Sequence, residues 1–266
     1  MNILCPIDFS EHSLYALQYA VDLANKTNSK LHVFTAYSVP RSTGRLRSLD
    51  NDIRAAVSED LAEVVKQITP RITSGQETSY HVMEGNSGRA INEFAKAHNM
   101  DLIIMGTQGK GSISNMFLGS VAKKVVDNSA IPVIAVPQNV KVDADQGLAI
   151  LNLDEKEIAN ESVVEFIRNF TQKLSLQLEV YHLVTPGTIT DMYRDSVKKL
   201  GDVVKSVITE NSDNITQSIK NHAETTNSSL IIMIRRPHSF WSRLFLDSKT
   251  TTELAMTNVP IMILPE

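Results

Sequence analysis

The chain has 266 residues, of which 42% are hydrophobic and 21% are charged, and its formal net charge at pH 7 is −4. This composition is typical of a globular protein with material for one or two cores, and it lacks the basic excess of nucleic-acid-binding proteins. The chain begins with an apolar strand instead of a signal leader, and no apolar run approaches the roughly 18 residues of a membrane-spanning helix, so we expect a cytoplasmic protein.

The first half of the chain alternates short β-rich runs with amphipathic segments of helical period. This pattern predicts five strands separated by helices, near residues 2–8, 30–37, 78–84, 101–106 and 132–136. Such alternation is typical of βαβ units that build a parallel sheet. The single cysteine, Cys5, falls in the first strand and is expected to be a core residue, since it has no partner for a disulfide.

Apolar residues at helical spacing predict the buried faces of three of the intervening helices. These residues are Leu14, Leu17, Ala20, Val21 and Ala24 in the first, Ile91, Phe94 and Ala95 in the third, and Val121, Val125 and Val126 in the fourth.

A glycine-rich run follows the fourth strand: Gly106 and Gly109, then Gly119 and Ser120 at the start of a helical stretch. Glycine lets the backbone approach an anion, and the N–H groups at a helix start point towards it. The spacing matches neither the P-loop nor the Rossmann fingerprint. On these residues alone, the run is either a phosphate site or a pair of turns that close strand–helix connections.

A carboxylate, Asp8, ends the first strand, and Ser10 follows it as the expected cap of the first helix. Right-handed crossovers favour an order with strand four beside strand one, and with strands two and three beyond strand one. Ligands of open α/β sheets bind where the winding direction reverses, beyond the carboxyl ends of the strands. We therefore expect Asp8 and Gly106 to converge there.

The chain repeats itself at a shift of 128 residues. Residues 102–105 and 230–233 both read Leu-Ile-Ile-Met, and the match continues without a gap to Pro137 and Pro265. Duplication of one domain explains this repeat. We expect one domain over residues 1–138, a polar linker over 139–146 and a second domain over 147–266.

The first copy resembles an ATP-binding domain of the universal stress protein family, whose signature is Gly-x-x-Gly, nine residues, then Gly-Ser/Thr. Gly106, Gly109, Gly119 and Ser120 match all of it. Four further segments follow in the family's order: residues 6–10, 84–86, 101–105 and 131–133. Across both copies, the resemblance implies two tandem, five-stranded, doubly wound parallel-sheet domains of the adenine nucleotide alpha hydrolase-like type.

The resemblance also implies that the two copies pack as an internal pseudo-dimer through their last strands, near residues 133–136 and 261–264, with a homodimer as a further option. Both segments are apolar sheet edges that need covering.

For the first copy, the resemblance implies bound ATP, alone or with Mg²⁺. Asp8 would contact the nucleoside, since a carboxylate accepts hydrogen bonds from sugar hydroxyls, and the glycines with Ser120 would hold the phosphates. Ala36 would line the adenine or serve as a small buried residue, while Gln108 and Lys110 are phosphate contacts or solvated loop residues. The implied cofactor-binding set is Pro6, Asp8, Ala36, Met105, Gly106, Gly109, Lys110, Gly119, Ser120 and Val121.

The second copy has lost the glycines, because the shift of 128 places Ile234, Pro237 and Asp247 at their positions. Isoleucine disfavours positive φ, proline removes a donor N–H, and aspartate adds negative charge to an anion site. We therefore expect no ATP there, with Asp154 remaining as a helix-entry residue. The run over residues 235–243, with three arginines, Phe240 and Trp241, is either an interaction patch or a cover over the sheet end with solvated arginines.

The sequence shows no constellation for catalysis. It lacks zinc-type spacing, an identifiable general base and a second acidic residue near the glycines to hold magnesium. This favours a nucleotide-dependent stress sensor that acts on an unidentified regulatory protein. The alternatives are a slow ATPase or phosphotransferase in the same pocket, and a scaffold that works without nucleotide.

Overall fold

The computed structural model describes residues 1–39, 46–73, 75, 77–109, 118–138, 140, 147–184, 192–236 and 258–266, without the side chains of residues 46–49. The described residues up to Gln138 form one compact unit, and those after it form a second. The predicted linker over residues 139–146 lies outside the described residues, apart from Val140.

The described residues of the first unit form five strands and four helices. The strands are β1 (Asn2–Pro6), β2 (Lys30–Tyr37), β3 (Thr78–Glu84), β4 (Leu102–Gly106) and β5 (Val133–Val136). The helices are α1 (Glu11–Thr27), α2 (Leu46–Ile68), α3 (Ser87–Ala97) and α4 (Ser120–Asn128). The strands run parallel in the order β3-β2-β1-β4-β5, which confirms the predicted order and the reversal of winding between β1 and β4.

The central strands β1 and β4 are almost entirely apolar and buried because helices cover both faces of a doubly wound sheet. Ile3, Leu4 and Cys5 of β1 are completely buried, and burial raises the pKa of the Cys5 thiol far above its ordinary value. Cys5 is therefore the core residue that its position predicts.

The apolar faces predicted for the helices are mostly buried, with one correction at the start of α4. Val125 and Val126 are buried, but Val121 is 39% exposed and Ala122 takes the buried position. Because α4 begins at Ser120, Val121 lies in its first turn, at the end of the sheet instead of against the core.

The second unit repeats this topology. Its strands are β6 (Leu148–Leu153), β7 (Gln177–Val184), β8 (Val204–Asn211), β9 (Leu230–Arg235) and β10 (Ile261–Pro265), and its helices are α5 (Glu161–Lys173), α6 (Tyr193–Leu200) and α7 (Ile215–Thr225). The strands run parallel in the order β8-β7-β6-β9-β10, so β6 and β9 correspond to β1 and β4. None of the helices in the described ranges combines the length and apolar composition needed to cross a membrane.

Candidate functional site

In the first unit, the residues that follow β1 and β4 meet beyond the ends of these strands. A Cβ placed on Gly109 would lie only 2.6 Å from Oδ2 of Asp8, so the carboxylate rests against the loop that leaves β4. The structure thus brings Asp8 and the glycine run together where the winding reverses, which is the usual position of a ligand site in this class of fold.

Asp8 is held in place by the start of α1. Both the backbone N–H and the hydroxyl of Ser10 donate to Oδ1 of Asp8, at 3.1 and 2.5 Å, and the Asp8 N–H donates to Oγ of Ser13 at 3.3 Å. Between them, Phe9 adopts a positive φ of 61°, which the surrounding hydrogen bonds stabilise. With Oδ1 engaged by Ser10, Oδ2 is the oxygen that faces Gly109.

Ser10 also caps α1, as predicted, because its Oγ accepts from the N–H of Ser13 at 3.3 Å. Its hydrogen bonds to Asp8 were not predicted. A serine two residues after an aspartate at a helix entry is the sequence signal for them, since Asx turns join such neighbours.

Steric space, not backbone conformation, explains the glycine at position 106. Within the described residues, the glycines with positive φ are Gly75, Gly85 and Gly201, so the φ argument for isoleucine at the matching position is wrong. A Cβ on Gly106 would lie 2.9 Å from the carbonyl oxygen of His12. The end of β4 therefore packs directly on the backbone of the first turn of α1.

The start of α4 lies beside this loop. Gly119 is the N-cap residue, and the structure gives it no side-chain capping hydrogen bond. Its own N–H donates to the Thr107 carbonyl at 2.7 Å, and Ser120 and Val121 are both exposed. Because the first N–H groups of a helix have no intrahelical acceptor, this helix start can bind an anion.

Those of the remaining predicted residues that the structure describes lie around the same sheet end. Pro6 ends β1, Met105 is buried in β4, and Ala36 is half-buried in β2. Next to Ala36, Thr35 donates to the Ile7 carbonyl at 2.9 Å. Lys110 lies outside the described residues.

In the second unit, an arginine of the same unit balances the charge of Asp154, the counterpart of Asp8. Arg236, at the position of Gln108, forms an ion pair with Asp154, and its Nη1 lies 2.7 Å from Oε2 of Glu266. The same guanidinium donates to the carbonyls of Glu157 and Lys156 at 2.7 and 2.9 Å. The side chains of Arg236, Asp154 and Glu266 are only 9%, 5% and 10% exposed, so the expectation of solvated arginines is wrong for Arg236.

Glu266 also accepts hydrogen bonds from backbone N–H groups directly before α5. Its Oε1 accepts from the N–H groups of Ala159 and Asn160, at 2.5 and 3.1 Å. Asp154 is thus part of a buried ion cluster, which its prediction as a helix-entry residue did not include. Sequence reasoning missed Arg236, although a retained aspartate at a buried strand end requires a cation or a ligand. The rest of the arginine- and aromatic-rich run, residues 237–243, lies outside the described residues.

The two sites therefore differ in charge while sharing a scaffold. In the first unit, the Asp8 carboxylate lies close to the backbone of Gly109 and near the start of α4, for which the described residues supply no side-chain cap. In the second unit, the side chain of Arg236 lies against the equivalent carboxylate, Asp154. Within the described ranges, no group of three or more histidine, cysteine or acidic side chains is placed to hold a metal ion.

Comparison with known proteins places this site in context. A family model described as the universal stress protein family matches residues 1–137. A universal stress protein of Methanocaldococcus jannaschii is 29% identical over 142 residues, covering 53% of this chain and 84% of that protein. One from Thermus aquaticus is 30% identical over 136 residues, covering 51% of this chain and 97% of that protein.

Among solved structures, a universal stress protein from Archaeoglobus fulgidus DSM 4304 has the same fold over both halves of the chain. Its TM-score is 0.73 at 20% sequence identity, and the match covers 100% of this chain and 96% of that chain.

Replacement of Arg236 by methionine should destabilise the protein, because it leaves two buried carboxylates without a counter-charge. We expect the free energy of unfolding to fall by about 3–5 kcal/mol. Urea unfolding of the full chain measures this change. The triple variant Arg236→Met, Asp154→Asn, Glu266→Gln is the matched control and should recover most of the loss. Unchanged stability of the single variant would show that the ion cluster is not formed.

Proposed function

The chain belongs to the universal stress protein family, and from this premise we propose that its first unit binds ATP beyond the ends of β1 and β4. The observation that carries the proposal is the contact of Asp8 with Gly109, next to the uncapped start of α4. A carboxylate lies beside the first N–H groups of a helix, for which the described residues supply no side-chain cap. This pair suits a ligand with hydroxyls at one end and phosphates at the other.

In this arrangement the phosphates bind the N–H groups at the start of α4, next to Gly119 and Ser120. Gly109 leaves room for the phosphate chain, and Oδ2 of Asp8 accepts a hydrogen bond from the ribose or the adenine edge. Ser10 holds the other carboxylate oxygen, so the accepting atom has a fixed direction. Pro6, Ala36 and Met105 line the nucleoside end, and the ATP binds alone or with Mg²⁺.

The proposed role is that of a nucleotide-dependent sensor. Bound ATP would shift the population of a surface that a regulatory protein recognises. Support comes from the second unit, where the same fold persists with an internal arginine at the matching position. One unit would then respond to nucleotide while the other does not.

The protein as purified should carry about one adenine nucleotide per chain, since a single unit has the proposed site. Denaturation followed by chromatography of the released nucleotide measures this ratio. Gly109→Val should abolish the occupancy, because its Cβ would lie 2.6 Å from the Asp8 carboxylate. The proposal fails if wild-type protein carries no nucleotide and binds none on addition of ATP, or if the variant is equally occupied.

A serine at position 119 should separate ligand binding from stability. Gly119 has φ −61° and ψ 165°, close to the values of the capping residue Ser10. Among the described residues, a Cβ at Gly119 meets no atom closer than 3.6 Å. Gly119→Ser should therefore cap α4 and leave stability unchanged or raised. Its hydroxyl competes with phosphate for the same N–H groups, so ATP affinity should fall roughly tenfold.

Isothermal titration calorimetry measures the affinity, and urea unfolding provides the control on stability. Wild-type affinity in a stable Gly119→Ser protein would place the phosphates elsewhere.

A further inference from the structure

Three histidines of the first unit gather where β2, β3 and α3 meet. Nδ1 of His32 on β2 lies 3.3 Å from Nε2 of His81 on β3, and the two rings stack with centroids 5.6 Å apart. The ring of His98, directly after α3, has its centroid 6.1 Å from that of His81. These residues are far apart in the sequence, so only the fold assembles the cluster.

The partners of these rings are neutral. The hydroxyl of Ser79 lies 2.8 Å from Nδ1 of His32 and 3.0 Å from Nε2 of His81. Phe94 of α3 packs against the rings of His81 and His98, with centroid distances of 4.7 and 3.9 Å, and Nδ1 of His98 lies 3.0 Å from the Phe94 carbonyl. A neutral imidazole suits these surroundings, because none of these partners is an anion that would balance a charged ring.

The acidic groups of the surrounding elements do not compensate a charge on the cluster. The charged residues on and beside these elements are Lys30 on β2, Glu77 directly before β3, Glu84 on β3, Arg89, Glu93 and Lys96 on α3, and Asp101 after α3. Glu93 pairs with Arg89 at 2.7 Å, and Asp101 accepts from the Asn2 N–H at 2.7 Å. The charges that act most on His32 and His81 come from Lys30 and from the other histidines.

Burial adds to this effect. Nε2 of His32 is buried and has no hydrogen-bond partner among the described residues, so a proton there would have no acceptor. Burial first, and then Lys30 and His98, lowers the pKa of His32 below its ordinary value of 6.5. Burial, followed by His32 and His98, lowers the pKa of His81 in the same direction.

We propose that His32, His81 and His98 form a proton-binding site through which the first unit responds to acid, and that charging of the rings releases α3 from β2 and β3. The rings would repel one another, and the buried nitrogen of His32 would face no acceptor. The signal at this cluster is the proton, and the response to it does not depend on nucleotide binding.

The direction of the pH response follows from linkage. The closed unit binds fewer protons than a form in which the rings are in water, because the pKa values of His32 and His81 are lowered in the closed form. The stability of the closed form is therefore complete well above pH 6.5 and is lost as the pH falls through and below that value.

The second unit supplies an internal reference, because the same place there has different chemistry. Strand pairing and the shift of 128 place Glu179, Ser206 and His222 at the positions of His32, Ser79 and Phe94. Nε2 of His222 lies 2.5 Å from Oε1 of Glu179, and Ser206 donates to Oε2 of Glu179 at 2.7 Å. In the second unit a histidine therefore lies against a carboxylate, whereas in the first unit the histidines lie against one another.

Hydrogen exchange followed by mass spectrometry on the full chain tests the proposal, at about pH 7.5 and about pH 5.5 with labelling times scaled to the intrinsic exchange rates. A chelator throughout prevents a metal from bridging the rings. We expect β2, β3 and α3 to lose protection in acid, by up to about tenfold for each of His32 and His81, because the lower pH lies about one unit below the ordinary pKa of histidine. The equivalent elements β7, β8 and α7 should keep theirs.

The variant His32→Gln, His81→Gln should keep the protection of β2, β3 and α3 at the higher pH and lose the acid response. If this double variant does not fold, His81→Gln alone, on the edge strand β3, should reduce the response. Equal acid-induced exchange in both units, no acid response in the wild-type protein, or a full response in the folded variants would overturn the proposal.

Discussion

The approach of the Asp8 carboxylate to the backbone of Gly109 sets the geometry on which the proposed site depends. Asp8 is anchored by Ser10 and Ser13 at the start of α1, and the end of β4 is anchored by the close packing of Gly106 on the His12 carbonyl. These contacts join two strands and a helix at the reversal of the sheet. A side chain at either glycine would push them apart, so the site needs its glycines for space.

The two units share one fold but carry different charged side chains at corresponding positions. The buried central strands are mainly apolar in both copies, and β4 and β9 share the run Leu-Ile-Ile-Met. Where the first unit presents backbone N–H groups beside Asp8, the second places the guanidinium of Arg236 against Asp154 and Glu266. Where the first gathers histidines, the second pairs Glu179 with His222. Divergence thus concentrates in charged positions around a conserved apolar framework.

The sequence predicts the framework well because apolar periodicity and chain connectivity determine it. The bounds of β2 and β3 agree with the predicted ones, and the strand order follows from right-handed crossovers. The ion cluster of Arg236 was missed, since its partner Asp154 is 82 residues away and nothing local links them. His32 and His81 are likewise 49 residues apart. Apolar spacing alone puts Val121 in the core, but Val121 lies in the first turn of α4 and is exposed, and Ala122 takes the buried position instead.

We infer that the anion site lies in the first unit alone, and a crystal structure with a non-hydrolysable ATP analogue would reveal where the phosphates bind. We expect phosphates at the N–H groups of Ser120 and Val121, a nucleoside in contact with Asp8, and Arg236 still paired with Asp154 in the second unit. Nucleotide bound at Arg236, or phosphates held away from the start of α4, would contradict it.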